Sequence, residues 1–237
     1  MTSSRFACKM YSCNERMCVA VQIDNNLVSV KVAAVLRWEI LYGKLKPHKE
    51  LYQDKIAQEL GVSRMPVREA LQILANDGFV TVRPNRVAIV NDISEKFVRD
   101  FYDVRVLLEC AAIRIACQKQ PDCSPAWVAY DAALRCIQRE DPNGFNVQNE
   151  RIHRFIWEAA DNLKLTQIMS QMWHTLEVAS NPYEEMCTSN QEHYLLIRCI
   201  EQNDPETAVQ TLELHIGRSC KKVLKHLADE HTASKTE

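Results

Sequence analysis

The segment that most constrains this chain is Gly61-Val62-Ser63-Arg64-Met65-Pro66. Proline lacks an N–H and clashes inside a helix, so Pro66 fits only the first turn of one. Ser63 then stands as the N-cap of RMPVREALQILAND, whose inward stripe is Val67, Leu71 and Leu74 and which Gly78 closes. Upstream, a shorter helix is predicted from about Gln53 to Leu60 with Ile56, Ala57 and Leu60 inward, and Gly61 stops it. Two helices joined by so tight a turn form a helix-turn-helix. Before them, residues 28–42 put Val32, Val35, Leu36 and Ile40 on one stripe of a helix that ends at Gly43. After them the period changes to that of a strand: Phe79 to Arg83, a turn at Pro84-Asn85-Arg86, then Val87 to Val90. This predicts a two-stranded wing with Arg83 and Arg86 near its tip.

The second helix of such a motif enters the DNA major groove by its N-terminal end. Ser63, Arg64, Met65 and Arg68 lie at that end. A guanidinium bonds a guanine edge in bidentate fashion or clamps a phosphate. Ser63 and the free N–H groups of the helix start hold a backbone phosphate. Charge agrees: residues 28–90 carry net +4 and residues 91–237 net −7, behind an overall −2. The basic module suits a polyanion, and the acidic remainder would be repelled by one. Double-stranded DNA is therefore the expected partner. One module reads only a half-site, so binding as a homodimer is expected.

The remaining chain reads as helices. With 237 residues there is room for two modest domains, and only five glycines disfavour a turn-rich β fold. The fold class expected is mainly α: an N-terminal winged helix-turn-helix with a small wing, and a C-terminal antiparallel helical bundle. Residues 1–27 read as a poorly ordered extension, 28–90 as the DNA-binding domain, 91–229 as the bundle and 230–237 as a tail. No apolar run approaches the length of a membrane span, and MTSSRFACKMYSCNERMC lacks the apolar core of a signal peptide, so no membrane and a cytoplasmic location are expected. The ten cysteines form no C-x-x-C pair. Most lie in apolar periodic stretches, where a free thiol packs as a small hydrophobe, while Cys8, Cys13 and Cys18 fall in the extension.

Within the bundle, Phe97, Phe101, Val104, Leu107, Leu108 and Ala111 mark the apolar stripe of one long helix. Further helices are predicted over about 126–140, 145–160, 164–180, 191–202 and 205–227. The last two form a hairpin around Asn203-Asp204-Pro205, with Asp204 as N-cap and Pro205 at the first helical position. His193 and His215 each lie eleven residues from Asp204. In an antiparallel pair they stand at one level, about 16 Å from the turn. His153, with Asn149 one turn before it, can join them from a third helix. Three neutral imidazoles suit Zn(II), Ni(II), Mn(II) or Fe(II). Arg105 stands four residues before Glu109, the spacing of a helical ion pair.

These pieces carry a resemblance. GKLKPHKEL, IAQELGVSRMPVREALQILANDGFV and RPNRVAIV resemble the winged helix of GntR-type bacterial regulators. FYDVRVLLECAA, NERIHRFIWEAADN, EHYLLIRCIEQNDPETA and LELHI are similar to the FCD effector-binding domain of the FadR-type subfamily. The resemblance implies a regulator, commonly a repressor released by a small organic acid. It implies a divalent metal on His153, His193 and His215, and an effector-lining role for Arg105, whose guanidinium would clamp a carboxylate near the metal, with Tyr102 as a candidate neighbour. His48 and Val87 stand where the family usually has Gly. Asn149 stands where it commonly has Asp, which removes a charge and implies a weak metal site. The alternative function is a metal-dependent enzyme on the same three histidines. Glu150-x-x-His153 has the spacing of a di-metal carboxylate bundle, but the second E-x-x-H that such a bundle needs does not occur.

Overall fold

The structure is a computed structural model and describes residues 28–84, 87–173, 175–176 and 182–233. Residues 1–27, with Cys8, Cys13 and Cys18, lie outside the described residues, as do Asn85 and Arg86.

The N-terminal part is built from α1 (Val28–Leu41), β1 (Glu50–Tyr52), α2 (Gln53–Leu60), α3 (Arg64–Asn76), β2 (Val80–Val82) and β3 (Val87–Val90). Val32, Leu36 and Ile40 of α1 are buried, and α3 buries Val67, Ala70, Leu71 and Leu74. Val35, expected inward, is exposed, because the buried stripe continues through Ala33, Arg37 and Leu41 instead. Leu60, also expected inward, is only half-buried at the end of α2. Gly61 takes the left-handed conformation at φ 66°, and its N–H returns to the carbonyls of Ala57 and Gln58, which closes α2. Ser63 is extended at the N-cap of α3, yet its side chain makes no capping hydrogen bond.

The wing is a three-stranded antiparallel sheet in the order β1-β3-β2, where two strands were expected. Three residues are too few for β1 to show an alternation in sequence. His48 supplies the turn into it. His48 stands at φ 67°, a region histidine enters more readily than most side chains. Its N–H donates to Val90 O at 2.8 Å, and Lys49 O accepts from Val90 N at 3.0 Å. Tyr52 is then opposite Val87, which lies in a regular strand.

The bundle consists of α4 (Glu95–Lys119), α5 (Ser124–Gln138), α6 (Pro142–Ala159), α7 (Leu163–Trp173), α8 (Tyr183–Gln202) and α9 (Pro205–Ala233). Side-chain caps fix four starts: Ser94 Oγ accepts from Phe97 N, Asp141 from Gly144 N, Asn162 from Leu165 N, and Asp204 from Thr207 N. Helix α8 begins at Tyr183, well before the expected 191, and α9 continues to Ala233. Helix α7 ends at Trp173, short of the expected 180.

The apolar stripe expected on α4 is corrected. Val104, Leu107 and Ala111 are exposed and Phe97, Phe101 and Leu108 are half-buried. The buried face runs through Val98, Tyr102, Arg105, Glu109, Ala112, Ile113 and Ala116. It carries an ion pair, so counting apolar residues selects the wrong face. Cys110, Cys117, Cys123 and Cys199 are buried free thiols, packed as small hydrophobes.

The two parts share one apolar core that runs from Val32 to Leu227. At the joint, Phe79 meets the Phe97 ring edge-on at 5.7 Å, and Tyr42 lies against His226 of α9 at 4.4 Å between ring centroids. Among the described residues no helix is long and apolar enough to cross a membrane.

Candidate metal and effector site

Four helices bring the site together. Helix α4 supplies Tyr102, Arg105 and Glu109, α6 supplies Asn149 and His153, α8 supplies Glu192 and His193, and α9 supplies His215 and Arg218. The three imidazoles are buried, and one ligand atom from each lies within 4.8 Å of the others. Nε2 of His153 and Nε2 of His215 are 3.1 Å apart.

Carboxylates behind the rings set their tautomers. His153 Nδ1 donates to Glu109 Oε2 at 2.5 Å, and His215 Nδ1 donates to Glu192 Oε2 at 2.7 Å. An ionised carboxylate only accepts, so each Nδ1 carries a proton and each Nε2 faces inward. At that distance the two Nε2 atoms either share a hydrogen bond, one of them carrying a proton, or turn their lone pairs to a cation between them. His193 has neither nitrogen hydrogen-bonded, and Asn149 Oδ1 is also buried without a partner. Buried polar atoms are ordinarily satisfied, and one His193 nitrogen together with the Asn149 oxygen could serve as ligands to a cation. The donors are imidazole nitrogens and one amide oxygen, and carboxylates behind two of the rings orient them as a metal site requires.

Electrostatics favour the neutral form of two of the rings, His193 and His215. Burial pushes His215 down to about 4, against the opposing hydrogen bond to Glu192. Burial and the neighbouring His215 and His153 hold His193 well below the ordinary histidine value. Burial pushes the Glu192 carboxyl up, but His215 and Arg218 outweigh it and hold it at about 2. Glu109 is likewise held well below the usual carboxylate range, with Arg105 and His153 overcoming burial. Arg105 Nε donates to Glu109 Oε1 at 2.5 Å, and Trp157 Nε1 donates to Oε2 at 3.2 Å. Arg105 pairs with Glu109, and it also lines a cavity with Tyr102, Asn149, His215, Arg218 and Lys222. Its guanidinium also stacks 4.5 Å over Trp173.

At the other end of the molecule, Ser63, Arg64, Met65 and Arg68 are all exposed at the start of α3. Arg64 Nε meets Asp54 of α2 at 2.5 Å, and Arg83 reaches Glu50 at 3.5 Å. Arg86 lies outside the described residues. Glu150, beside Asn149 in sequence, turns to Arg154 at 2.7 Å. Sequence reasoning missed Glu192, Arg218, Trp157 and Trp173 as parts of the site. The one available signal was position: Glu192 adjoins His193 in sequence, while Arg218 follows His215 by three residues on the same helix face.

Comparison with known proteins accords with this geometry. The chain is similar to the gluconate operon transcriptional repressor of Bacillus subtilis (strain 168), 28% identical over 194 residues that span 77% of this chain and 79% of that one. Escherichia coli McbR/YncC has the same fold, with a TM-score of 0.62 at 18% identity over 83% of this chain and 97% of that chain. The metal-free FCD domain of TM0439 aligns at a TM-score of 0.52 and 21% identity, covering 59% of this chain and 99% of its own. The bacterial regulatory protein family gntR matches residues 28–90, and the FCD domain family matches residues 100–218, half of the chain by itself. An exposed basic helix start and a buried imidazole cavity thus fall in two separately matched domains, and the chain belongs to the GntR family of transcriptional regulators with an FCD domain, not to an enzyme family.

Proposed function

We propose that this regulator is a homodimeric, cytoplasmic repressor that leaves its DNA operator when a small organic acid enters the FCD cavity. In this reading Ser63, Arg64, Met65 and Arg68 meet the major groove, and Arg83 and Arg86 reach the duplex from the wing. A divalent metal is held by His153, His193, His215 and Asn149. Bound there, it supplies a Lewis-acidic point for a ligand oxygen. Arg105 and Tyr102 orient the acid. The observation that carries the proposal is one cavity wall shared by His215 and Asn149 with Arg105, Arg218 and Lys222. Cations and imidazoles facing one space suit an oxyanion. The relative named as a gluconate operon repressor supports repression as the sign of control.

Dimerisation has its own support. Cys110 lies near Glu213 and Cys220 near Asp103, so α4 and α9 run antiparallel, with Leu107 and Leu214 within about a turn of the same level. Both leucines are more than 70% exposed, an apolar seam that a second copy would cover.

A gel-shift titration against the operator tests the DNA reading. Arg68→Ala should weaken binding by about 1–3 kcal/mol and relax sequence preference at one position. Wild-type affinity in both Arg64→Ala and Arg68→Ala would remove the recognition helix from the reading. Addition of the effector acid should release wild-type protein and leave Arg105→Ala bound.

A further inference from the structure

Asp54 is out of place on electrostatic grounds. It stands in the first turn of α2, and in a helix-turn-helix the first helix crosses the DNA backbone. A carboxylate there faces a polyanion, which repels it. The positive end of the α2 dipole favours an anion at this position, but a dipole does not decide where the carboxylate points. It points at the recognition helix: Asp54 Oδ1 lies 2.5 Å from Nε of Arg64, the first residue of α3, and both side chains are largely exposed. Among the described residues no other carboxylate pairs with Arg64. The wing repeats the arrangement more loosely. Arg83 faces Glu50 of β1 at 3.5 Å, and the Tyr52 hydroxyl donates to the same carboxylate. The short stretch from Glu50 to Asp54 thus sets a carboxylate opposite each of two arginines assigned above to DNA.

The atom that Asp54 holds matters. A guanidinium carries five N–H donors in a planar fork. Contact at Nε leaves the end edge, made by the two terminal nitrogens, available to another acceptor. That edge matches the O6 and N7 acceptors of guanine in bidentate fashion. Guanine is uncharged, so it can bond Arg64 while Asp54 stays in place. A phosphate cannot do so on equal terms. The Arg64–Asp54 pair carries no net charge, and a phosphate drawn to the guanidinium is brought close to a second anion. If Arg64 leaves Asp54 for the phosphate instead, one anion has only replaced another, and the exchange gains as little as it costs.

We propose, resting on the recognition-helix reading above, that Asp54 is a specificity-determining residue for operator recognition. It acts as a positioning residue: it holds the Arg64 guanidinium with its end edge free for a guanine and cancels the value of Arg64 as a phosphate clamp. Sequence-independent binding runs on phosphate contacts, so the pair adds little to it. The pair contributes fully only where a guanine meets it in the groove. Asp54 therefore lowers affinity for DNA at large more than affinity for the operator.

Fluorescence anisotropy of the full-length protein across a series of chloride concentrations tests this. The probes are a duplex that wild type selects from a random-sequence pool, its variants with each G·C pair replaced in turn by A·T, and poly(dA-dT), which offers no guanine edge. Asp54→Asn should bind poly(dA-dT) about three- to tenfold more tightly, with a salt slope steeper by roughly one unit, while the selected duplex gains less. The preference for guanine at one position of the selected duplex should fall. Glu59→Gln removes the same charge from α2, where Glu59 pairs with Lys55 at 4.0 Å, and should leave that preference unchanged. In an Arg64→Ala background, Asp54→Asn should do no more than Glu59→Gln does. An unchanged ratio of selected-duplex to poly(dA-dT) affinity in Asp54→Asn overturns the proposal. So does an equal effect of Glu59→Gln on every readout, or an effect of Asp54→Asn that survives Arg64→Ala. If Arg64→Ala binds both DNAs like wild type, the recognition-helix reading itself fails, a result distinct from the others.

Discussion

Two ion pairs of equal length separate the halves of this molecule. Arg64 and Asp54 meet at 2.5 Å with side chains 74% and 65% exposed, and Arg105 and Glu109 meet at 2.5 Å with side chains 9% and 0% exposed. The first sits in water, where Coulomb attraction is screened and the guanidinium can exchange its partner for a phosphate at little cost. The second lies against Trp157 and Trp173 and holds His153 in one orientation. The winged helix keeps its charge outside for recognition. The bundle keeps its charge inside for position.

The sharpest way to break this contrast is Glu109→Leu. It leaves the Arg105 guanidinium and the His153 and Trp157 N–H groups buried without an acceptor, and should cost about 3–5 kcal/mol in urea unfolding. Adding Arg105→Met should recover most of the loss, since the pair removed together leaves no stranded charge. A cost for Glu109→Leu below that of an exposed pair would mean that burial does not distinguish the two.

A smaller effect is expected at the joint. Gly78 stands at φ 82°, and a Cβ there would lie 2.9 Å from the Phe97 ring. Gly78→Ala should destabilise by about 1–3 kcal/mol and loosen the Phe79–Phe97 contact. Calorimetry that shows two transitions in the variant and one in wild type would place the damage between the halves. His48→Gly removes a side chain from the left-handed region, and should raise stability by up to about 1 kcal/mol in thermal unfolding. The smallest effect belongs to Asp54→Asn, at roughly 0–1 kcal/mol, with operator binding retained or tightened because Arg64 loses its competitor. A loss as large as that of Glu109→Leu would erase the comparison.

The same difference explains what was legible in the sequence. The helix-turn-helix is local: Gly61, Ser63 and Pro66 mark its turn within six residues, and the exposed arginines follow at once. The imidazole level was legible too, because equal spacing from Asp204 fixes height in a hairpin. The face of α4 was not. Its inward side carries Arg105 and Glu109, whose burial is justified only by partners on α6 and α7, which a single-helix pattern does not contain. Glu192 was missed for the same reason, since its role depends on His215 and Arg218 of another helix. Strand β1 was lost to its brevity, with only His48 at a glycine position to hint at the turn before it.

Helix α9 bears a consequence of its own. One unbroken helix carries His215 at the imidazole level, Lys222 and Val223 at the cavity wall, and His226 against Tyr42 of the DNA-reading half. From His215 to His226 is about 16 Å of stiff rod. A lever of that length turns a tilt of only about four degrees at the cavity into a displacement of about 1 Å under Tyr42. No hinge, loop or relay of side chains is needed between them, because the fulcrum and the load share one backbone.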